Sequence, residues 1–297
     1  MNRREKTELT VGAPPGFDFR RTLHSHGWYD LPPFELTGGG ALARVLDVGE
    51  RAPVTVLIRP GGPGLKVSAE ARLGAAARAR VTRDVRHVFR LDDSLEEFYA
   101  RVGGDPEFAW AARDGAGRLL RSPTVYEDLV KSVMTTNCSW ALTKKMVTEL
   151  VNNLGAEAAD GRRAFPTPEV MAAQPAAFYR EVVRAGYRAE YLSELAGRVA
   201  AGEIDPESWL RSELPTEELK REMKRVKGVG DYAAENLLKL VGRYDVLALD
   251  SWVRGKFRKT RNKGRACEDA KIARFYSRFG EWRGLALWCD MTRDWFE

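Results

Sequence analysis

Leu219 to Arg254 reads LKREMKRVKGVGDYAAENLLKLVGRYDVLALDSWVR, and this stretch decides the fold. Its centre, Gly228-Val229-Gly230, lies between two helical patterns and is too short for an ordinary interhelical loop with side chains. Two glycines one residue apart let the backbone turn sharply and approach another surface with no Cβ in the way. The next helix begins at about Asp231, so its free N–H groups point into the hairpin, an arrangement that suits a phosphate oxygen. A plain tight turn has the same look. Asp250 follows Tyr232 by eighteen residues and ends the short apolar run Leu247-Ala248-Leu249. It can simply cap the helix that starts at Ser251. A helix N-terminus also keeps a carboxylate anionic, as a base or an electrostatic stabiliser requires.

Outward from this stretch the two sides differ. Downstream, Arg254 to Arg265 (RGKFRKTRNKGR) holds seven basic side chains in twelve residues and no acid. In isolation it reads equally as a solvated loop; beside the hairpin it points to a phosphate-facing surface. Upstream, helical patterns run back to about Asp92. Asp92, Asp93 or Ser94 can cap a helix carrying Leu95, Phe98, Tyr99 and Val102. Ser122-Pro123-Thr124 opens another, and a third runs from about Ser139 to Leu154 and stops at Gly155. Further helices are expected at 168–173, 175–185, 188–201, 216–226, 231–242, 268–279 and 284–295. Residues 1–92 read instead as an α+β unit. It has strand-like runs at Pro53–Ile58, Leu65–Glu70 and Ala79–Arg83 and a short helix over Phe17–Trp28. The expected architecture is thus an α+β N-terminal domain (1–92) followed by an all-helical domain (93–297).

Bulk composition narrows the classes. The 297 residues are 44% hydrophobic and 30% charged, with a net charge of +6, an ordinary globular balance that permits nucleic-acid binding without proving it. No apolar run approaches the roughly 18 residues of a membrane span, and Met1–Thr10 is too polar for a secretory leader. Cytoplasm is the expected compartment, with no membrane partner. Cys138, Cys267 and Cys289 are too few and too scattered for a disulfide framework or a four-cysteine iron–sulfur or zinc site. His24 and His26, with only His87 elsewhere, do not make a metal site.

Taken together, these residues resemble the helix-hairpin-helix-GPD superfamily of base-excision DNA glycosylases. That family's pattern is a (L/V)-P-G-(V/I)-G hairpin followed by an invariant aspartate. The hairpin falls on Val226 to Gly230 and the aspartate on Asp250. Arg121–Glu127 is similar to the family's opening helix, Thr136-Asn137-Cys138-Ser139 to the segment that enters the gap left by an extruded base, and Ala185–Leu192 to the helix before the hairpin. The matches run from about 120 to 255. Before them, the α+β unit resembles 3-methyladenine DNA glycosylase II and 8-oxoguanine DNA glycosylase in character only. Lys227 stands where the family has proline. Tyr232 stands where strand-cleaving members carry a Schiff-base lysine and where monofunctional members that excise alkylated bases carry an aromatic.

The resemblance implies a monomeric enzyme acting on double-stranded DNA that contains a damaged or modified base, leaving an abasic site. Asp250 would stabilise the cationic sugar and orient or deprotonate the attacking water. Lys227, Gly228, Val229, Gly230 and Arg254 would hold phosphates, and Asn137 would face the orphaned base. Tyr232, Trp252, Trp28 and one of Trp282, Trp288 or Trp295, with Trp288 favoured, would line the base pocket. Lys239 lies about 10 Å along the helix from Tyr232, too far to replace the missing amine. No cofactor is expected beyond a monovalent cation on the backbone carbonyls of Lys224, Val226 and Val229. An alkylated purine is the leading substrate. An oxidised purine follows because of Asn137, then a bulky phage-type base. The alternative outside enzymes is a non-catalytic hairpin clamp on DNA.

Overall fold

The computed structural model describes residues 6–50 and 52–296; part of the Met1–Thr10 segment read above lies outside them. Five strands, β1 (Thr7–Gly12), β2 (Phe34–Leu36), β3 (Leu42–Leu46), β4 (Val54–Pro60) and β5 (Gly64–Ala69), form one antiparallel sheet in the order β1-β5-β4-β3-β2. Between β1 and β2 lie helix α1 (Phe19–Leu23), capped by Asp18, and a 3-10 turn, Gly27–Asp30. After the sheet come α2 (Ala75–Val88), α3 (Glu96–Gly103), α4 (Ala109–Arg113), α5 (Val125–Thr135), α6 (Trp140–Leu154), α7 (Pro168–Ala172), α8 (Ala176–Glu181) and α9 (Arg188–Ala200). The chain ends through α10 (Thr216–Met223), α11 (Asp231–Leu240), α12 (Ser251–Thr260), α13 (Asp269–Tyr276) and α14 (Arg283–Thr292). An antiparallel α+β layer followed by helices is the expected class. No helix of the described residues is long and apolar enough to cross a membrane.

Three local expectations change. Ala79–Arg83 is not a strand but the middle of α2, where Ala77, Val81, Val85 and Val88 are buried at helical spacing. Five residues, Ala-Arg-Val-Thr-Arg, were too short a window to separate the two periods. The α3 cap is not a side chain: Asp92 pairs with Arg86 and Asp93 with Arg90 and Arg121, leaving Ser94 a marginal 3.4 Å contact from the Glu96 N–H. The helix within Phe17–Trp28 is a single turn and a half, Phe19–Leu23.

The sheet and the helices share one apolar core, and buried charge crosses between them. Arg44 of β3 makes a two-pronged pair with Glu127 of α5, which also accepts from Lys131 at 2.6 Å, all three side chains being 3% exposed or less. Arg90, just after α2, donates to the carbonyls of Lys239 and Leu240 at 3.0 and 3.1 Å, and Arg121 reaches Leu240 at 3.2 Å. These guanidinium groups satisfy the open carbonyls at the end of α11, and so fix the helix that follows the hairpin.

Candidate active site

Lys224 to Gly230 turns α10 into α11. Gly228 sits at φ +90°, and a Cβ there would lie 2.6 Å from the Tyr191 ring, so both backbone and packing demand glycine. Gly230 is different: it occupies the N-cap of α11 in extended backbone, with nothing within 4 Å of a built Cβ. The face it leaves open is the wall of a groove of about 810 Å³, lined also by Asn137, Tyr187, Lys227 and Asp250. Lys224, Val226 and Val229 lie along the same groove. Their carbonyls are the hard oxygen donors that a monovalent cation takes, and that of Val226 already accepts the Val229 N–H at 3.0 Å.

Asn137 stands in the turn between α5 and α6 at φ +48°, exposed, with its amide 3.3 Å from the Tyr187 hydroxyl. Lys227 is 3.3 Å from Glu194. Arg254 is not free on the groove: both arms of its guanidinium go to Asp269, at 2.7 and 2.8 Å. Of the basic run, Arg254, Lys256 and Arg261 are paired with acids, whereas no ion pair to Arg258, Lys259, Lys263 or Arg265 is found among the described residues.

Behind the groove opens an inner chamber of about 610 Å³. Tyr232 and Asp250 line both spaces and so form the rim between them. Asp250 is the N-cap of α12, accepting the Val253 N–H at 2.7 Å. The cap role and a site role therefore belong to the same carboxylate. Its aim is set by the segment before it. Ala248 is forced to φ +52°, and the start of α14 clamps the chain, with the Gly284 N–H 2.7 Å from the Tyr244 carbonyl and Arg283 on that of Asp245. A Cβ on Gly284 would fall 1.8 Å from the Val246 carbonyl. Burial, the Asp250 charge and a hydrogen bond to that carboxylate push the Tyr232 phenol up to about 12.

The chamber walls are aromatic. Trp28, Trp252 and Trp288 line it, together with Trp295, the other C-terminal candidate, and Trp140, which the sequence did not single out. Trp252, Trp288 and Trp295 form a triangle with centroid separations of 5.8 to 6.1 Å. Trp282 is elsewhere, stacked on Tyr244 at 5.2 Å. Indole N–H groups are used for anchoring: Trp28 to Asp128 at 2.6 Å, Trp288 to the Ser25 carbonyl at 2.8 Å, Trp140 to Asp30 at 3.1 Å. The ring of Trp140 packs against Gly27, where a Cβ would come within 2.4 Å. His26, Ser132 and Lys239 line the chamber and escaped the sequence reading as site residues. Lys239 was discoverable: Tyr232, Asn236 and Lys239 follow the i, i+4, i+7 spacing of one helix face.

This sheet-fronted helical body is similar in fold to solved structures of DNA glycosylases. A 3-methyladenine DNA glycosylase from Archaeoglobus fulgidus superposes with a TM-score of 0.75 at 22% identity, covering 98% of this chain and 99% of that one. An 8-oxoguanine glycosylase/lyase from Clostridium acetobutylicum in its apo form gives 0.74 at 20%, covering 97% of each chain. The Schizosaccharomyces pombe 3-methyladenine DNA glycosylase Mag1, in complex with abasic DNA, matches at 0.52 and 21%, over 65% of this chain and 94% of that one. No family model matches the sequence, and no curated protein does.

Proposed function

We propose that the protein is a DNA glycosylase that extrudes a damaged or modified base from duplex DNA and hydrolyses its N-glycosidic bond. The observation that carries this reading is the position of Asp250 on the rim between the hairpin groove and the aromatic chamber beside it. A duplex lying along the groove places a phosphate at the start of α11, and the flipped base enters the chamber and stacks on its indoles. The sugar then sits at the rim. As the base departs, positive charge grows on the sugar carbon, and the Asp250 carboxylate stabilises it and orients the attacking water. Asn137, exposed at the groove edge, fills the vacated stack. The reaction needs water and no cofactor; a monovalent cation on the hairpin carbonyls would help fix the phosphate. A non-catalytic clamp would have no use for a chamber of this size behind its hairpin.

The product is an abasic site in an intact strand. β-Elimination requires an amine bonded to the sugar carbon; the group at the rim is the Tyr232 phenol, and the amine of Lys239 lies beyond it, inside the chamber. The aromatic at 232 and the indole walls favour a purine, alkylated or oxidised. The test is base release from single-lesion duplexes by wild type and Asp250→Asn. Asp250→Asn keeps its DNA affinity and loses on the order of a hundredfold or more in excision. Wild-type product breaks only after hot alkali and gives no borohydride-trapped adduct. Excision by Asp250→Asn within a few-fold of wild type removes Asp250 from the mechanism.

A further inference from the structure

The chamber contains a charge that hydrolysis at the rim does not use. Lys239 is 2% exposed, and among the described residues its ammonium makes no hydrogen bond or ion pair; it rests 4.6 Å from the centroid of the Trp288 ring. Ser132 of α5 is also 2% exposed, and its hydroxyl oxygen has no hydrogen-bond partner. Both groups line the chamber. Buried polar side chains are nearly always satisfied, and an unpaired buried ammonium is costly, so two such groups in the wall of one cavity call for a bound acceptor. Asn236 and Asp250 also line the chamber, and Asp250 attracts the ammonium, but among the described residues neither makes a hydrogen bond or ion pair with it. The Trp28, Trp140 and Trp288 N–H groups are donors already spent on protein oxygens, and His26, bonded to the Leu120 carbonyl, is kept neutral by burial.

Tryptophan faces alone would welcome a positively charged base, because a cation is attracted to the π face. A lysine inside the cage reverses that preference, since one cation repels another where water is scarce. We propose that Lys239 is the specificity-determining residue of the chamber: with Ser132 it donates to a carbonyl oxygen of a neutral extruded base, and its charge excludes bases that carry a positive charge. This rests on the glycosylase reading and narrows it, from purines in general to neutral, carbonyl-bearing ones.

Three duplexes separate charge from hydrogen bonding: 8-oxoguanine (neutral, carbonyls), 7-methylguanine (cationic, carbonyl) and 1,N6-ethenoadenine (neutral, no carbonyl). Single-turnover excision is read as the ratio of variant to wild-type rate, so the differing lability of the bases cancels. Lys239→Met loses about 100-fold on 8-oxoguanine, the scale of one lost hydrogen bond to a charged group, and gains about tenfold on 7-methylguanine. Lys239→Gln, which keeps a donor without charge, retains most of the 8-oxoguanine rate and still gains on 7-methylguanine. Ser132→Ala loses on 8-oxoguanine and leaves 1,N6-ethenoadenine unchanged. Binding to duplexes bearing the uncleavable 2′-fluoro nucleosides shows the same inversion. An equal loss on all three lesions overturns the proposal, as does a borohydride-trapped adduct that needs Lys239, because the amine then attacks the sugar. Wild type that releases no base from any lesion duplex defeats the glycosylase reading itself; wild-type release that Lys239→Met leaves untouched defeats this inference alone.

Discussion

Asp250 caps α12 through Val253 and faces Tyr232 across the rim, so its loss has a structural cost of about 1 kcal/mol besides the catalytic one. Asparagine also caps, which makes Asp250→Asn the variant that isolates the charge. Lys239 makes the opposite trade. Burial pushes its ammonium down to about 8 from an ordinary 10.5, against the attraction of Asp250 and Glu235. Below pH 8 both folded and unfolded chains carry the charge, and the folded state bears the full burial penalty. Between pH 8 and 10.5 the folded chain sheds its proton while the unfolded chain keeps it, so stability rises with pH. Lys239→Met therefore melts higher than wild type at pH 7, and the gap closes toward pH 10.5. Melting temperatures at pH 7 and 9.5 test this; a gap that widens with pH excludes the buried ammonium.

At the scale of elements, the α10–α11 hairpin divides its tasks between two glycines that look equivalent in the sequence. Gly228 is held by its positive φ and by Tyr191, so Gly228→Val damages the fold itself. Gly230 faces open space at the N-cap, so Gly230→Val keeps the fold and obstructs a phosphate. Its effect is weaker binding to every duplex alike, since phosphate contacts position without specifying. Lys227→Ala lowers the slope of log affinity against log salt by about one unit if that lysine exchanges Glu194 for a phosphate. Salt titrations with undamaged and lesion duplexes check both. A Gly230→Val protein that changed lesion preference with undiminished affinity would place the hairpin in base reading instead. Arg254, held by Asp269, should affect the slope less than Lys227.

For the whole molecule, the question is what makes sheet and helices one unit. Glu127 is the anion shared by Arg44 of the sheet and Lys131 of its own helix, all buried. Replacing it with alanine leaves two buried cations without a counter-charge, a loss of about 3–5 kcal/mol. Because the two cations belong to different layers, the loss appears as an earlier but still single transition in urea. Two separated transitions, or a change below about 1 kcal/mol, would mean that the sheet layer is not joined to the helices through this carboxylate. The neighbouring Asp128 anchors Trp28 in the chamber wall, so the same helix that ties the layers together also shapes the site.

What residue order alone determined is local chemistry with a short period. The hairpin glycines, the helix openings at Ser122–Thr124 and about Ser139, the Asp250 cap, the Gly155 stop and most helices of the second half follow from turn geometry, capping and 3.6-residue spacing, which need no distant partner. The strands β1, β2 and β3 went unread because a strand is defined by its neighbour, and Arg44 in the middle of β3 makes sense only against Glu127, which is 83 residues away. The chamber was half legible. Trp28, Trp252 and the C-terminal tryptophans were named as aromatics near a predicted site, but Trp140 entered only through packing against Gly27, and the choice among Trp282, Trp288 and Trp295 waited on which of them packs beside Trp252. Tertiary structure likewise took Arg254 out of the groove by supplying Asp269. It turned Lys239 inward, since whether a helical lysine reaches water or a cavity depends on what covers that face, and here Trp288 of α14 covers it.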